Sequence, residues 1–181
     1  MRSALLAIVL ILVGCDAGER TPTGPRPDQL ALREIVEYTA RAQREIDSVA
    51  KAVLERYAAD HDSVPDSGLL QHETTILVDR DLAYDGTGGT LTADALPRGA
   101  FALRSPSEMQ TDADRTDKYV HYIFIHDLHI EGDRATFWVG VHLKLPNHPE
   151  GPGTCCCSAE QLYVKRNGAW TYAETTSSIC S

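Results

Sequence analysis

The chain has 181 residues, 43% of them hydrophobic, and a formal net charge of -9. An acidic balance of that size repels phosphate backbones and anionic headgroups, which excludes nucleic acid as an expected partner. The length suits one domain with its own core, and the chain has no GxSxG, Walker or GxGxxG pattern that would indicate a cofactor or a nucleotide.

Arg2 is followed by an unbroken apolar run over residues 4–13. A bilayer-spanning helix needs about 20 apolar residues, so residues 1–14 read as an export signal rather than a spanning anchor. The quartet Leu12-Val13-Gly14-Cys15 resembles the bacterial lipobox, in which a branched residue and small residues precede the cysteine that becomes the acylated first residue. The resemblance implies a thioether-linked diacylglycerol, and acyl groups such as palmitate, on Cys15. It implies a lipoprotein of the bacterial cell envelope, held on the extracytoplasmic side of a membrane. Each acyl chain adds roughly 0.8 kcal/mol per buried methylene and one chain binds only marginally, so a multiply acylated Cys15 would be the whole attachment to the lipid bilayer. In enterobacterial sorting, Asp16 after the cysteine would favour the inner membrane.

Residues 16–28 hold three prolines, two glycines and few apolar side chains, so residues 15–28 read as a lipidated, disordered tether. Asp28 is the expected N-cap of a helix. Apolar residues then recur at three and four positions, including Leu32, Ile35, Val36, Ile46, Val49, Val53, Leu54 and Tyr57. This predicts one amphipathic helix ending near Asp60, or two broken near Gln43. Its opposite face carries Arg33, Glu37, Arg41, Arg44, Lys51 and Glu55, which suits solvent, so the apolar stripe is expected to pack on the domain's own sheet.

Residues 63–68 carry turn chemistry, and residues 74–78 form a short β-branched strand. Over 79–118 the pattern predicts a flexible turn at 85–89, a short helix within 93–103 interrupted at Pro97, and a polar loop over 105–117. From Tyr119 the alternation is that of strands: 119–126, 128–130, a turn at 131–134, then 135–145 with Phe137, Val139, Val141 and Leu143 on one face. Residues 146–153 break the pattern with three prolines and two glycines. Segments 155–164 and 170–179 flank Asn167-Gly168, a strong hairpin signal. A helix followed by strands predicts one α+β domain over 29–181, its long N-terminal amphipathic helix packed on a curved antiparallel sheet of about four to six strands.

Residues 131–138 and the ending Leu162-Tyr163-Val164-Lys165-Arg166-Asn167-Gly168-Ala169-Trp170 resemble the terminal strands of the nuclear-transport-factor-like, cystatin-like cone fold, which includes small exported bacterial members. Relatives similar to ketosteroid isomerase use an acid and a tyrosine or histidine in an apolar pocket for proton transfer. For this chain the resemblance points to His126, Tyr122 and Asp127.

Of the five cysteines, Cys15 is assigned to lipid, leaving Cys155, Cys156, Cys157 and Cys180 to pair in an oxidising compartment. A two-residue turn at Asn167-Gly168 sets Cys155 opposite Cys180, at a site where Cα atoms stand about 4.5 Å apart. A three-residue turn with a Gly168 bulge instead pairs Trp170 with Val164 and Tyr172 with Leu162, leaving Cys180 diagonal to Cys156. Either register puts Cys180 beside the triplet, and a bond to one member is expected. For the other two thiols, a vicinal disulfide, free or intermolecular thiols, and a soft-metal site through Cys155 and Cys157 compete, although zinc sites normally show CxxC spacing.

Five of seven histidines, His121, His126, His129, His142 and His148, fall in one stretch. On an extended strand His126 and His129 point to opposite faces, so this is not a helical HExxH zinc motif. Strand parity lets His126, Tyr122 and Phe124 meet His142 and Trp138. The acidic spacings Asp79, Asp81, Asp85 and Asp112, Asp114, Asp117 fall short of a calcium loop and read as solvated turns. With no catalytic constellation or cofactor motif, the leading expectation is a non-catalytic domain binding a small molecule or another envelope protein through the open face of its sheet. A ketosteroid-isomerase-like enzyme, and metal or redox handling by the 155–157 cluster, are the alternatives.

Overall fold

Between Pro27 and Ala59 the sequence contains no glycine and no internal proline, and Pro27 itself can occupy a first helical position because its missing N–H is not needed there. The structure, a computed structural model, describes the backbone of residues 27–84, 87–148 and 156–180. The lipobox with Cys15, most of the expected tether, and Cys155 lie outside the described residues. Helix α1 (Pro27–Ala59) is continuous through Gln43, and it starts inside the segment expected as tether, so Asp28 is a helical residue rather than the cap. It ends where Asp60 turns extended and its carboxylate accepts the Asp62 N–H, while the Asp60 N–H closes the last turn onto the Arg56 carbonyl.

The chain divides into two units at Val36 and Glu37. In the first, Leu32, Ile35 and Val36 are exposed. In the second, the stripe Ile46, Val49, Ala50, Val53, Leu54 and Tyr57 is buried, each large apolar side chain contributing roughly 1.5–3 kcal/mol. Two polar braces fix this part of α1. The buried Asp47 carboxylate accepts the Thr92 N–H at 3.0 Å and its hydroxyl at 2.7 Å, and Lys165 donates to both Glu45 oxygens at 2.6 and 2.7 Å.

The strands are β1 (Ile76–Asp79), β2 (Asp81–Tyr84), β3 (Thr87–Thr90), β4 (Phe101–Arg104), β5 (Val120–Glu131), β6 (Arg134–Lys144), β7 (Cys157–Arg166) and β8 (Ala169–Cys180). The main path runs β3-β2-β5-β6-β7-β8, with β1 and β4 off it. The β5–β8 meander is antiparallel as expected, and the sheet as a whole is mostly so. The departures are β1, which runs parallel to both β4 and β5, and β2, which pairs with β5 in parallel at Tyr84 and Leu128. Parallel neighbours need long crossovers, which the β2–β3 hairpin and helix α2 (Pro106–Thr116) supply in a region the alternation pattern does not resolve. The expected polar loop over 105–117 is therefore a helix. Ser105 and Glu108 close a capping box at its start, the Ser105 N–H donating to Glu108 Oε2 at 2.7 Å and the Glu108 N–H to Ser105 Oγ at 3.3 Å.

One sheet face, with Val78, Ile123, Ile125, Leu128, Phe137, Val139, Val141 and Tyr163, packs under α1 to make the main core. The opposite face carries a smaller cluster of Met109 from α2 with Tyr122 and Phe124, flanked by Leu77, Val120 and Trp138. Gly140 sits at the centre of this second face, opposite both Phe124 and Ser158. A Cβ there would lie 2.6 Å from the Cys157 carbonyl oxygen and 3.0 Å from Phe124 Cε1, so only glycine fits.

Candidate functional site

Two places bring chemistry-bearing side chains together. On the face opposite α1, β5 and β6 pair so that Tyr122 stands across from His142 and His126 across from Trp138. The Phe124 ring lies 3.8 Å from the His142 ring and 5.0 Å from that of His126, and Tyr122 meets His142 edge-on at 5.9 Å. Asp79 joins this face, since Leu77, two residues before it, pairs with Tyr122. Burial pushes the Asp79 carboxyl up to about 6, against the downward pull of the Asp81 N–H and Lys144. Burial, then the neighbouring Asp79 charge, also raises the Tyr122 phenol. His142 is lowered to about 4 by burial first and then by the positive charge of His126 and Lys144. The face is not open as expected, because α2 closes its Tyr122 end with Met109.

The second place is a cleft of about 340 Å³ beside the last turn of α1. Tyr57, Leu70, Ile76 and Phe101 wall it, with His61, Glu73 and Arg98 at the rim. Tyr57 packs edge-on against Phe101 at 6.3 Å and His61 at 5.0 Å, and a 3-10 turn (Ser67–Leu70) presents Leu70. Behind Glu73, the buried Nδ1 of His121 makes no hydrogen bond and stands 3.8 Å from the Glu73 carboxylate. Two other clefts, one walled by Asp117, Lys118, Tyr119 and His148 and one by Asp81, Gly88 and Thr90, are lined largely by exposed residues. The 340 Å³ cleft alone of these three reaches buried core aromatics.

Strand β5 carries a bulge between His126 and His129, at Asp127 with φ of 51°. His126 pairs with Trp138 and His129 with Thr136, so the extra residue returns both imidazoles to one face and corrects the expectation of opposite faces. Asp127, placed in the bulge, is exposed and bonds His126 Nδ1 at 2.9 Å instead of joining Tyr122. The acid beside Tyr122 is Asp79, which sequence reasoning assigned to a solvated turn. Its signal was its parity with Leu77 on a strand. In α2, Asp112 pairs with Arg115 at 2.9 Å and Asp114 accepts the Asn147 N–H at 2.7 Å. Both are structural contacts.

Cys180 is disulfide-bonded to Cys157. Of the two turns the sequence left open, the two-residue one forms, Asn167 and Gly168 both having positive φ and Arg166 facing Ala169. Two bulges in β8, opposite Glu160/Gln161 and Leu162/Tyr163, then each advance the register by one residue, which carries Cys180 past Cys155 to Cys157. The sulfur of Cys157 is thereby spent, which overturns the metal pair Cys155 and Cys157. Cys156, at φ of 109°, is disulfide-bonded too. Among the described residues no three His, Cys, Asp or Glu side chains converge to hold a metal ion.

No protein-family profile and no curated protein matches the chain. Among solved structures, an NTF2-like protein with a cystatin-like fold from Novosphingobium aromaticivorans aligns over 83% of this chain and 87% of its own, at 16% identity and a TM-score of 0.27.

Proposed function

We propose that this chain is a lipid-anchored protein of the bacterial cell envelope whose domain from Glu37 onward binds a small molecule without transforming it. Acylated Cys15 attaches it to the bilayer, and another envelope protein is the alternative ligand. The observation that carries the binding role is the 340 Å³ cleft, at the lower end of the range usual for small-molecule sites and built as such sites are, with apolar walls and a few polar groups at the rim. A ligand with an apolar body and a polar end matches that lining.

The fluorescent probe 8-anilinonaphthalene-1-sulfonate tests it. The folded protein should bind the probe saturably, and Ala100→Trp, which fills the mouth of the cleft from an exposed position, should abolish binding without lowering the melting temperature. Probe binding that survives Ala100→Trp refutes the assignment of the cleft.

A second reading, proton transfer, is favoured by Asp79 at about 6 on the same face as the buried Tyr122 and the half-buried His142. Groups shifted toward the middle of the pH range suit general acid–base work. If this reading holds, the protein isomerises a β,γ-unsaturated ketone and Asp79→Asn removes the activity. Equal rates for the two proteins end it.

A further inference from the structure

We propose that the cleft beside Tyr57 takes a free α-amino acid with an apolar side chain, its ammonium group toward Glu73 and its carboxylate toward Arg98. This rests on the reading of the cleft as a small-molecule site and names the chemical class of its ligand.

Strand register brings the two charges to the same end of the cleft. Ile76 of β1 stands beside Phe101 of β4 in a parallel pair, and Glu73 and Arg98 each lie three residues before those partners. Paired strands run about 4.8 Å apart, so the two segments are neighbours where they enter the sheet. Each is tied to the fold there. The Glu73 N–H donates to the Leu70 carbonyl at 3.0 Å, and the Ile76 N–H donates to the Ala100 carbonyl at 2.7 Å. Gly99, directly after Arg98, has φ of 140°, a conformation open to glycine, so the turn that presents Arg98 depends on that residue.

Both Glu73 and Arg98 line the cleft, yet they do not neutralise one another. Among the described residues no ion pair or hydrogen bond involves the Arg98 side chain, and the Glu73 carboxylate has only His121 Nδ1 at 3.8 Å, beyond hydrogen-bond reach. Other opposite charges of this protein do close on each other, Arg115 with Asp112 at 2.9 Å and Lys165 with Glu45 at 2.6 Å. The last turn of α1 adds a second negative element. Tyr57 and Ala58 belong to the cleft wall, and a helix end carries the negative pole of its dipole, which suits an ammonium group.

A fatty acid would answer Arg98 and set a like charge near Glu73, and an amine would do the reverse. A ligand with both charges at one end answers both. Its apolar part would meet Leu70, Ile76 and the Tyr57 and Phe101 rings, which stand edge-on at 6.3 Å and favour an aromatic side chain. At about 340 Å³ the cleft suits one amino acid rather than a peptide.

The test is calorimetric titration of the full-length protein at pH 8 with L-phenylalanine, phenethylamine and 3-phenylpropionate. The three share one ring and carry both charges, the ammonium alone and the carboxylate alone. L-phenylalanine should bind saturably and about fivefold more tightly than either analogue, as for one added ion pair at a solvated rim. Glu73→Gln should weaken L-phenylalanine and phenethylamine about fivefold and spare 3-phenylpropionate. Arg98→Gln should weaken L-phenylalanine and 3-phenylpropionate and spare phenethylamine. Both side chains are exposed, so neither variant should lower the melting temperature. The proposal is overturned if L-phenylalanine does not bind saturably, if it binds no more tightly than its analogues, or if either variant binds it as the natural protein does. Should that happen while the naphthalene probe still binds and Ala100→Trp still abolishes its binding, the cleft stands as a site and the amino acid does not. Loss of both removes the cleft reading itself.

Discussion

Replacing Gly140 by alanine adds one methyl group to the middle of β6. Its Cβ would stand 2.6 Å from the Cys157 carbonyl oxygen, 3.0 Å from Phe124 Cε1 and 3.1 Å from Ser158 Cα. Two of those three are backbone atoms of the β7 strand and its start, which move only if the strand moves. The third belongs to a ring 4% exposed and held 3.8 Å from His142. The backbone at Gly140 is not in the left-handed region, so the added cost is contact and not conformation. Overpacking of this kind costs roughly 1–3 kcal/mol, and the reduced entropy of the unfolded chain returns about 0.4–1 kcal/mol. A net loss of about 1.3 kcal/mol is expected from the middle of those ranges, equivalent to a melting temperature lower by about 4 °C for a domain of this size. Urea unfolding followed by tryptophan fluorescence measures it, since Trp138 lies two residues away on the same face. The slope should be unchanged and the midpoint lower. Gly88→Ala, where a Cβ meets nothing within 4 Å, is the control and should stay within about 0.5 kcal/mol of the natural protein. A Gly140→Ala protein as stable as the Gly88→Ala control would refute the register assigned to β6 and β7.

The Asp79 and His142 shifts predict opposing pH slopes. Asp79, raised to about 6 from 3.8, contributes stability present below pH 3.8 and lost as pH rises through 6. His142, lowered to about 4 from 6.5, contributes stability present above pH 6.5 and lost as pH falls through 4. Both groups are partly solvated, so each slope amounts to about 1 kcal/mol after screening, and they nearly cancel between pH 4 and 6. Asp79→Asn should therefore gain stability as pH rises across that window and His142→Phe should lose it; parallel curves for the two variants would contradict the clustering. For the disulfide, Cys157 and Cys180 are 23 residues apart, and closing a loop of that length stabilises by about 3 kcal/mol on chain entropy. The double variant Cys157→Ser, Cys180→Ser should unfold earlier by that amount, and reductant should shift its midpoint less than that of the natural protein, because only the bond at Cys156 is left to reduce. A natural protein whose midpoint reductant does not shift would oppose the pairing.

Long-period patterns were legible in the sequence, and local irregularities were not. The stripe from Ile46 to Tyr57 and the alternation of Phe137, Val139 and Val141 are repeated signals, and they placed α1 and β6 within a few residues. The hairpin at Asn167-Gly168 was also legible because two adjacent residues both tolerate positive φ, while the choice between a two-residue and a three-residue turn was not. The bulges were not: one extra residue at Asp127 and two in β8 leave no compositional mark, yet they decide which histidines share a face and which cysteine meets Cys180. Helix α2 was hidden by its polarity, since only Met109, Gln110 and Ala113 are buried, although Ser105-Pro106-Ser107-Glu108 carried a readable capping box. Asp79 was missed because its environment is made by partners far along the chain, Tyr122 and Lys144, which parity on a four-residue strand could not bring together.

The most direct test of the lipid-anchored account is peptide mass mapping, without reduction, of the full-length chain purified from the membranes of the bacterium that makes it. The account predicts an N-terminal peptide beginning at Cys15 and carrying a diacylglycerol thioether. A peptide that retains residues 1–14, or that begins at an unmodified Cys15, would contradict it.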